Sequence, residues 1–354
     1  MFSVLFSKKR KLHYKSRAIK NIFLICGVFI STIIGAGFSS GREIVEFFIS
    51  GGIMGMYGIV ISVILFILIG WTLLKIIYKY SINSCNELIR LIFPKSSSII
   101  FNCIVLLAMI SIYTVMISGV GATLSQQFGV PHFIGSVLAS AICLLIFLSD
   151  TKGMVYSMNF IAPVVILGTF AICIFTLSQG VPVFSNVSPR FILLNPVLYV
   201  GYNIITLIGV MPGLSNYVTS LRVAATSTII SVFVLGLLAV LISSCVILFN
   251  AQSLQIPMLS VASSGGKLVG IIYFVILLFS MFTTSISNGY GTIKMLCSSL
   301  KIKNYGVCAV LFVVSCFFIS LMPFSQLIKY LYKFLGYVGI IELIFILYAN
   351  WRIK

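Results

Sequence analysis

A run of small residues, 35–41 (GAGFSSG), interrupts the first long apolar segment and is followed directly by Arg42, Glu43 and Glu46. Bilayer hydrocarbon cannot satisfy free backbone N–H and C=O groups, so a helix unwinds at that depth only where it lines a cavity or binds something. Charged residues at the same depth are costly and mark a pathway or a site. The stretch therefore predicts a transport site at the break. Its expected substrate-binding residues are Gly35, Ala36, Gly37, Phe38, Ser39, Ser40 and Gly41.

Such a break suits an amino acid zwitterion. The start of the helix after Gly37 offers N–H donors and a positive dipole end to a carboxylate. The carbonyls that the break leaves free suit an ammonium group or a cation. The alternative is that these glycines only permit close helix packing, as small residues do in membranes.

The charged residues after the break are candidates for gating or proton coupling. Arg42 and Glu46 are spaced i,i+4 and can pair on one helix face, beside Glu43. Arg42 is expected to close an external gate or approach the substrate carboxylate, and a purely local ion pair is the alternative. Glu342 lies alone in the last apolar segment. It is a candidate for proton exchange, or else a structural carboxyl that is hydrogen-bonded across helices.

Composition defines the class of protein that positions these residues. The chain has 354 residues, of which 60% are hydrophobic and 8% are charged. Its mean hydropathy is +1.20, and apolar runs long enough to cross a bilayer recur from end to end. We therefore expect an all-α integral membrane protein, with a basic N-terminal tail over 1–17 and one transmembrane domain over 18–354.

Hydropathy predicts ten spans in a 5+5 inverted repeat, with the first repeat over about 18–178 and the second over about 192–354. The sixth span then corresponds to the first, and paired interrupted segments in two halves point to a transporter site. The predicted interruptions of the sixth span are Gly201, Asn203, Gly209, Pro212 and Gly213, of which Gly201 and Asn203 are expected to bind substrate. The ten spans are 18–49, 52–80, 99–126, 131–149, 154–178, 192–221, 224–250, 267–295, 304–323 and 327–351.

Two connections have further predictions. Segment 81–98 is too polar to span and is expected to form a short interfacial helix on the cytoplasmic side. Segment 251–266 contains Pro257 and a Ser-Ser-Gly-Gly run, which is compatible with a lid-like loop or an ordinary one.

The net charge of +18 is explained by topology. Basic residues cluster in the tail and in alternate connections, as the positive-inside rule requires, which predicts cytoplasmic termini in a plasma membrane. We expect a lipid bilayer and a small-molecule substrate as partners and no nucleic acid. The sequence does not define the oligomeric state.

An enzyme is not expected. The chain has one aspartate, Asp150, at a span edge, and its two histidines, His13 and His132, flank spans. Nine cysteines form no CxxC pair and are typical of packing residues. We predict no catalytic residue, no cofactor and no metal site beyond Na⁺ as a coupling ion.

Residues 34–48 (IGAGFSSGREIVEFF) closely resemble the GAGFASGQE-type signature of the YkvI-like family of amino acid permeases, within the amino acid–polyamine–organocation superfamily. Segments 198–203 (LYVGYN) and 282–291 (FTTSISNGYG) also look like that family, so the resemblance covers nearly the whole chain. Arg42 departs from the signature, which usually has Gln there. The resemblance implies a LeuT-like fold with helices 1 and 6 broken at mid-membrane.

The resemblance also implies further site residues. In LeuT-type relatives, hydroxyls of span 8 and carbonyls of span 1 hold Na⁺, and an aromatic residue of span 3, here Tyr113, covers the substrate. The alternative for the hydroxyls is bonding back to their own helix. The corresponding ion-binding residues are Ile33, Ile34, Ala36, Thr283, Thr284 and Ser287.

These observations predict a cation-coupled permease for a small neutral amino acid that works by alternating access. Coupling to Na⁺ and coupling to H⁺ both remain open. The alternative function is a membrane nutrient receptor that binds an amino acid without transporting it, since related folds include germinant sensors.

Overall fold

A computed structural model describes residues 2–49, 53–94, 98–148, 154–180 and 193–352, and these residues form helices joined by short connections. The predicted all-α class is thus confirmed. Asp150 and most of the 178–191 connection lie outside the described residues. The α-helices are α1 Phe2–Ile33, α2 Ala36–Ser39, α3 Arg42–Phe47, α4 Ile53–Tyr80, α5 Cys85–Ile92, α6 Ser98–Phe128, α7 His132–Leu148, α8 Met154–Leu177, α9 Leu194–Val210, α10 Leu221–Leu248, α11 Pro257–Ser264, α12 Lys267–Ser299, α13 Tyr305–Ser320, α14 Phe324–Leu327 and α15 Lys333–Arg352.

Among the residues that the structure describes, six helical segments are long and apolar enough to cross a membrane: Met54–Tyr80, Ile99–Phe128, Leu194–Tyr217, Leu221–Leu248, Lys267–Cys297 and Phe324–Arg352. Shorter apolar helices cover His132–Leu148, Pro163–Leu177 and Tyr305–Ser320. Large apolar side chains on the outside of the bundle, such as Phe23 and Phe233, are 65% exposed or more, as expected where lipid covers them. The chain is therefore a multi-pass membrane protein, while the count of ten spans and the inverted repeat stay predictions.

The first apolar segment is broken where the sequence predicts it. Helix α1 ends at Ile33, and the Gly35 N–H bonds the Ile33 carbonyl at 2.9 Å before α2 begins. A second turn separates α2 from α3, where Gly41 has φ +79°. Only glycine adopts this left-handed conformation without strain, so this glycine is needed for the turn itself.

The sixth segment is interrupted at the last two of the five predicted positions, Pro212 and Gly213, and not at the first three. Helix α9 continues through Gly201 and Asn203, and the chain changes to a 3₁₀ helix at Met211–Tyr217, where Pro212 follows the first residue. Gly201 has a packing role, because a Cβ there would lie 2.6 Å from the Gly336 carbonyl of α15. The prediction that Gly201 breaks the helix was wrong, since its missing side chain lets two helices approach closely.

Two short helices occupy the connections that the sequence singled out. Helix α5 lies within 81–98 and begins with a capping box, in which the Ser84 hydroxyl accepts from the Glu87 N–H and the Glu87 carboxylate accepts from the Asn83 N–H. Helix α11 lies within 251–266. The last apolar segment contains a π-helical turn at Ile328–Tyr332, a feature that often marks functional sites.

Candidate functional site

A cavity of about 650 Å³ lies at the break in the first segment. It is lined by parts of α1, α3, α5, α6, α9 and α12, and it extends from the break towards α5 and the C-terminal part of α12. Ile33, Ile34 and Gly35 form the wall at the break. Backbone that leaves the helix thus lines a cavity, which is the condition under which such a break is stable in a membrane.

Glu43 on α3 contributes a buried carboxylate to this cavity, with 3% of the residue exposed. The Tyr202 hydroxyl of α9 donates a short hydrogen bond to Glu43 Oε2. Gly37 makes room for the same carboxylate, because a Cβ at that position would lie 2.0 Å from Glu43 Oε1. Among the described residues that line the cavity, Glu43 is the one aspartate or glutamate, and none is a lysine, arginine or histidine.

Two tyrosines face the cavity beside this carboxylate. The rings of Tyr202 and Tyr332 stack with their centroids 4.8 Å apart, and both residues line the cavity. Tyr332 is placed there by the π-helical turn before α15. Phe47 stacks on the other side of Tyr202 at 5.7 Å. The sequence had not singled out either tyrosine, although the interrupted last segment and the LYVGYN stretch were the available signals.

The predicted hydroxyl residues of α12 form part of the same wall. Thr283, Thr284 and Ser287 line the cavity together with Ile33 and Ile34. The Thr283 hydroxyl donates to the Phe279 carbonyl at 2.9 Å, and the Thr284 hydroxyl donates to the Ser280 carbonyl at 2.9 Å. Both threonine hydroxyls therefore bond to their own helix, which is the alternative that the sequence left open. Their oxygen lone pairs remain able to coordinate a cation.

Ala36 is not part of this wall. It is fully buried, and its carbonyl accepts the Ser40 N–H at 2.8 Å within the α2 turn. The Ala36 carbonyl thus takes part in local backbone structure, and its expected place in an ion cage stays a prediction. Asn203 does line the cavity, but its side-chain amide donates to the Tyr199 carbonyl at 2.8 Å in its own helix.

The rest of the 35–41 stretch packs away from the cavity. The Ser39 carbonyl accepts the Tyr273 hydroxyl at 2.7 Å, and the Ser40 carbonyl accepts the Met258 N–H at 2.9 Å. Of the seven residues predicted here, Gly35 lines the cavity and Gly37 borders its carboxylate. Those that pack into the bundle instead of lining the cavity are Ala36, Phe38, Ser39, Ser40 and Gly41.

Tyr113 also lies outside the cavity. It is fully buried between Phe147 and Phe312, whose ring centroids are 6.2 and 4.7 Å away. The α6 residues that line the cavity include Ile112 and Met116. In this conformation the Tyr113 side of α6 faces α7 and α13, and its expected role as a cover for the substrate stays a prediction.

Beyond Glu43, ion pairs and hydrogen bonds join α3 to two neighbouring segments. Arg42 Nη1 donates to the carbonyls of Gln252 at 2.8 Å and Leu254 at 3.3 Å. Glu46 pairs with Arg42 at 3.7 Å, as the spacing predicts, and with Lys333 at 2.6 Å, which the sequence did not reveal. We call this set the outer latch, made of Arg42, Glu46, Lys333, Gln252 and Leu254. It joins α3 to the 251–256 connection and to α15.

Glu342 on α15 is 1% exposed and is not among the cavity residues. Its Oε2 atom has no hydrogen-bond partner among the described residues. The described residues also contain no group of three or more His, Cys, Asp or Glu side chains that would hold a metal ion.

Fold and site together define a helical membrane protein whose broken first helix meets an internal cavity. No family model matches the chain. Two curated relatives align over most of their length. They are the uncharacterized membrane protein YkvI of Bacillus subtilis (strain 168), 28% identical over 88% of this chain and 91% of that protein, and the uncharacterized protein YyaD of the same organism, 22% identical over 91% of this chain and 96% of that protein.

Solved structures reveal the fold. The inward facing conformation of Mhp1 has a TM-score of 0.62 at 14% identity, covering 90% of this chain and 73% of that one. The manganese transporter of Eremococcus coleocola, solved with an aromatic bis-isothiourea substituted compound, has a TM-score of 0.63 at 12% identity, covering 96% and 86%. The chain therefore has the LeuT-like fold of these membrane transporters.

Proposed function

We propose that this protein is a secondary active transporter that moves a small neutral amino acid by alternating access. The observation that carries the proposal is an internal cavity at a broken helix, with the outer latch closed beyond it and the cavity extending the other way. Such a site near a discontinuous helix is where transporters of this architecture hold substrate and coupling ions. The likeness of fold to two kinds of transporter supports the same function.

The direction of opening follows from the expected topology. If the termini are cytoplasmic in a plasma membrane, the connection that contains α5 is cytoplasmic and the outer latch is extracellular. The cavity reaches Ser84 and Cys85 at the α5 end, so this conformation is the inward-facing one. In the outward-facing state, the contacts of Arg42 and Lys333 in the outer latch must break.

The coupling ion is proposed to bind between the break and α12. The carbonyls of Ile33 and Ile34 and the hydroxyls of Thr283, Thr284 and Ser287 supply hard oxygen atoms of the kind that Na⁺ prefers. Proton coupling through Glu342 is the other possibility, since that carboxyl is buried and one of its oxygens has no hydrogen-bond partner among the described residues.

Counterflow in liposomes tests the proposal. Purified protein is reconstituted, the vesicles are loaded with an unlabelled amino acid, and entry of the labelled amino acid is followed in Na⁺ or in choline. Transient accumulation of at least one amino acid, absent from protein-free vesicles, is the expected result. Loss of this accumulation in choline assigns coupling to Na⁺. Its persistence moves the coupling question to protons and Glu342, which uptake driven by a pH gradient then tests. Thermal stabilisation by an amino acid without any counterflow would replace the transporter with a nutrient receptor.

A further inference from the structure

The described residues that line the cavity contribute one carboxylate and no cationic side chain, and this imbalance bears on which part of a substrate the cavity recognises. Resting on the proposed function, we infer that Glu43 anchors the ammonium group of the substrate. The protein then selects primary amines, and a free carboxylate on the substrate is dispensable. This differs from recognition of a whole zwitterion by the backbone at the break.

The charge balance of the site is the first argument. Glu43 is 3% exposed, and the hydrogen bond from Tyr202 is a neutral one. Arg42, the residue before Glu43, and Lys333 of α15 are both engaged in the outer latch, with Glu46 and with backbone carbonyls. A buried carboxylate is stable only when it is paired or protonated. A cationic ligand in the cavity supplies the pair.

The stacked tyrosines are the second argument. Aromatic faces attract cations through their negative quadrupole, most strongly where water is excluded. Tyr202 and Tyr332 line the same cavity as Glu43, and Tyr202 touches that carboxylate directly. The faces of the Tyr202 ring are stacked on Phe47 and on Tyr332, so the contact between an ammonium group and a ring face is left to Tyr332. A carboxylate beside such a ring suits an organic ammonium ion.

The polar groups elsewhere in the cavity are the third argument. Several of the amides and hydroxyls that a substrate carboxylate would meet already donate within their own helices. The Asn203 amide donates to Tyr199, the Thr206 hydroxyl donates to the Asn203 carbonyl at 2.7 Å, and the Asn288 amide donates to the Thr284 carbonyl at 2.9 Å. Charge-assisted bonds are roughly twice as strong as neutral ones, and only the ammonium end finds a charged partner here.

Matched sets of ligands test this inference on the unaltered protein. Each set contains an amino acid, the amine that lacks its carboxylate, and the acid that lacks its ammonium group. We would use alanine, ethylamine and propanoate; leucine, isopentylamine and 4-methylpentanoate; and phenylalanine, phenethylamine and 3-phenylpropanoate. Equilibrium binding to detergent-purified protein is measured by calorimetry. In at least one set the amine should bind within about tenfold of its amino acid, while the acid should not bind measurably.

Variants at Glu43 connect the result to this carboxylate. Glu43→Gln should weaken binding of the amine at least tenfold, and Glu43→Asp, which keeps the charge, should restore part of the affinity. Glu87→Gln makes the same chemical change outside the cavity lining and should leave binding unchanged. Melting temperatures of all variants identify any that fail to fold, and the ligand sets on the unaltered protein do not depend on them.

Several outcomes would overturn the inference. One is an acid that binds while the amine of the same set does not. Another is that none of the three amines among the nine compounds binds. A third is a Glu43→Gln variant that binds normally but loses accumulation driven by a pH gradient, which would make Glu43 a proton carrier. A different outcome would refute the transporter proposal alone. If amines bind in a way that depends on Glu43 but no compound shows counterflow, Glu43 still anchors the ammonium group and the protein is not a transporter.

Discussion

Tyr202 of α9 donates its hydroxyl hydrogen bond to the carboxylate of Glu43 on α3, across the cavity end of the broken first segment. The bond connects two segments that lie far apart in the sequence and that both depart from regular α-helix nearby. Tyr202 also stacks on Tyr332, which belongs to the π-helical turn of the last segment. Three irregular segments therefore meet at one carboxylate.

Helix α3 has two different roles over its short length. Glu43 faces the cavity, and Glu46, less than one turn further on, belongs to the outer latch. A movement of α3 that opens the latch must therefore move Glu43 as well. The proposed alternating access needs such a connection, because the proposed substrate site and the outer latch must then change together.

Gly37→Val should abolish uptake while the protein still reaches the membrane. A Cβ at this position would lie 2.0 Å from Glu43 Oε1, the end of a flexible side chain, so the carboxylate moves and the fold survives. Radiolabelled uptake and membrane abundance are measured together. Gly27→Ala is the matched control, since no atom lies within 4 Å of a Cβ there. Normal uptake by Gly37→Val would refute a role for this glycine in the site.

Arg42→Ala should open the side of the protein that the outer latch closes. The variant loses the bonds to Gln252 and Leu254 and the pair with Glu46, which all hold α3 in place. A cysteine at the cavity position Ser287 reports access. An impermeant maleimide is applied to oriented vesicles, and the labelled peptide is quantified by mass spectrometry. Labelling from the latch side should rise several-fold, because the closed arrangement loses about 1–2 kcal/mol of charge-assisted hydrogen bonding.

Two internal references make that labelling experiment specific. Arg222→Ala removes an exposed arginine of α10 and should leave access unchanged. Cys85 lines the same cavity at the α5 end, but burial, together with the nearby Glu342 carboxyl, raises the pKa of its thiol to about 11. The thiol stays protonated at neutral pH and reacts slowly, because the thiolate is the reactive form. Equal labelling of position 287 in both arginine variants would contradict the latch.

Replacing Thr283, Thr284 and Ser287 together by alanine should raise the Na⁺ concentration needed for half-maximal counterflow about tenfold or more. The change removes the hydroxyl oxygens of the proposed cation site but keeps the helix, because both threonine hydroxyls bond within α12. Ser315→Ala is the control, since its hydroxyl also bonds its own helix but lies exposed on α13. An unchanged Na⁺ dependence in the triple variant would place the Na⁺ site away from these three hydroxyls.

Gly339→Ala should destabilise the protein by about 1–3 kcal/mol, the usual cost of overpacking a tight contact. A Cβ there would lie 2.1 Å from the Gly201 carbonyl, a backbone atom that cannot move without separating α9 from α15. The melting temperature in detergent should fall accordingly. Gly209→Ala, with no atom within 4 Å of the added Cβ, should not lower it. Equal melting temperatures for both variants would show that the two helices are not held at this distance.

The sequence by itself determined the membrane class, the helical fold, the position of the first break and the Arg42–Glu46 pair. These features follow from local chemistry: apolar length sets the spans, small residues with free backbone set the break, and i,i+4 spacing sets the pair. Through a family resemblance, the sequence also placed Thr283, Thr284 and Ser287 on one wall with the end of α1.

Only the tertiary structure decided which side chains face the cavity. Tyr113 and Gly201 turn out to pack against neighbouring helices, whereas Tyr202 and Tyr332 meet at Glu43 and Lys333 pairs with Glu46. The physical reason is that hydropathy in a membrane protein is nearly uniform around each helix, so it carries little information on helix rotation. That rotation depends on close contacts between segments distant in the chain, such as Gly201 against Gly339, and these contacts exist only once the helices have packed.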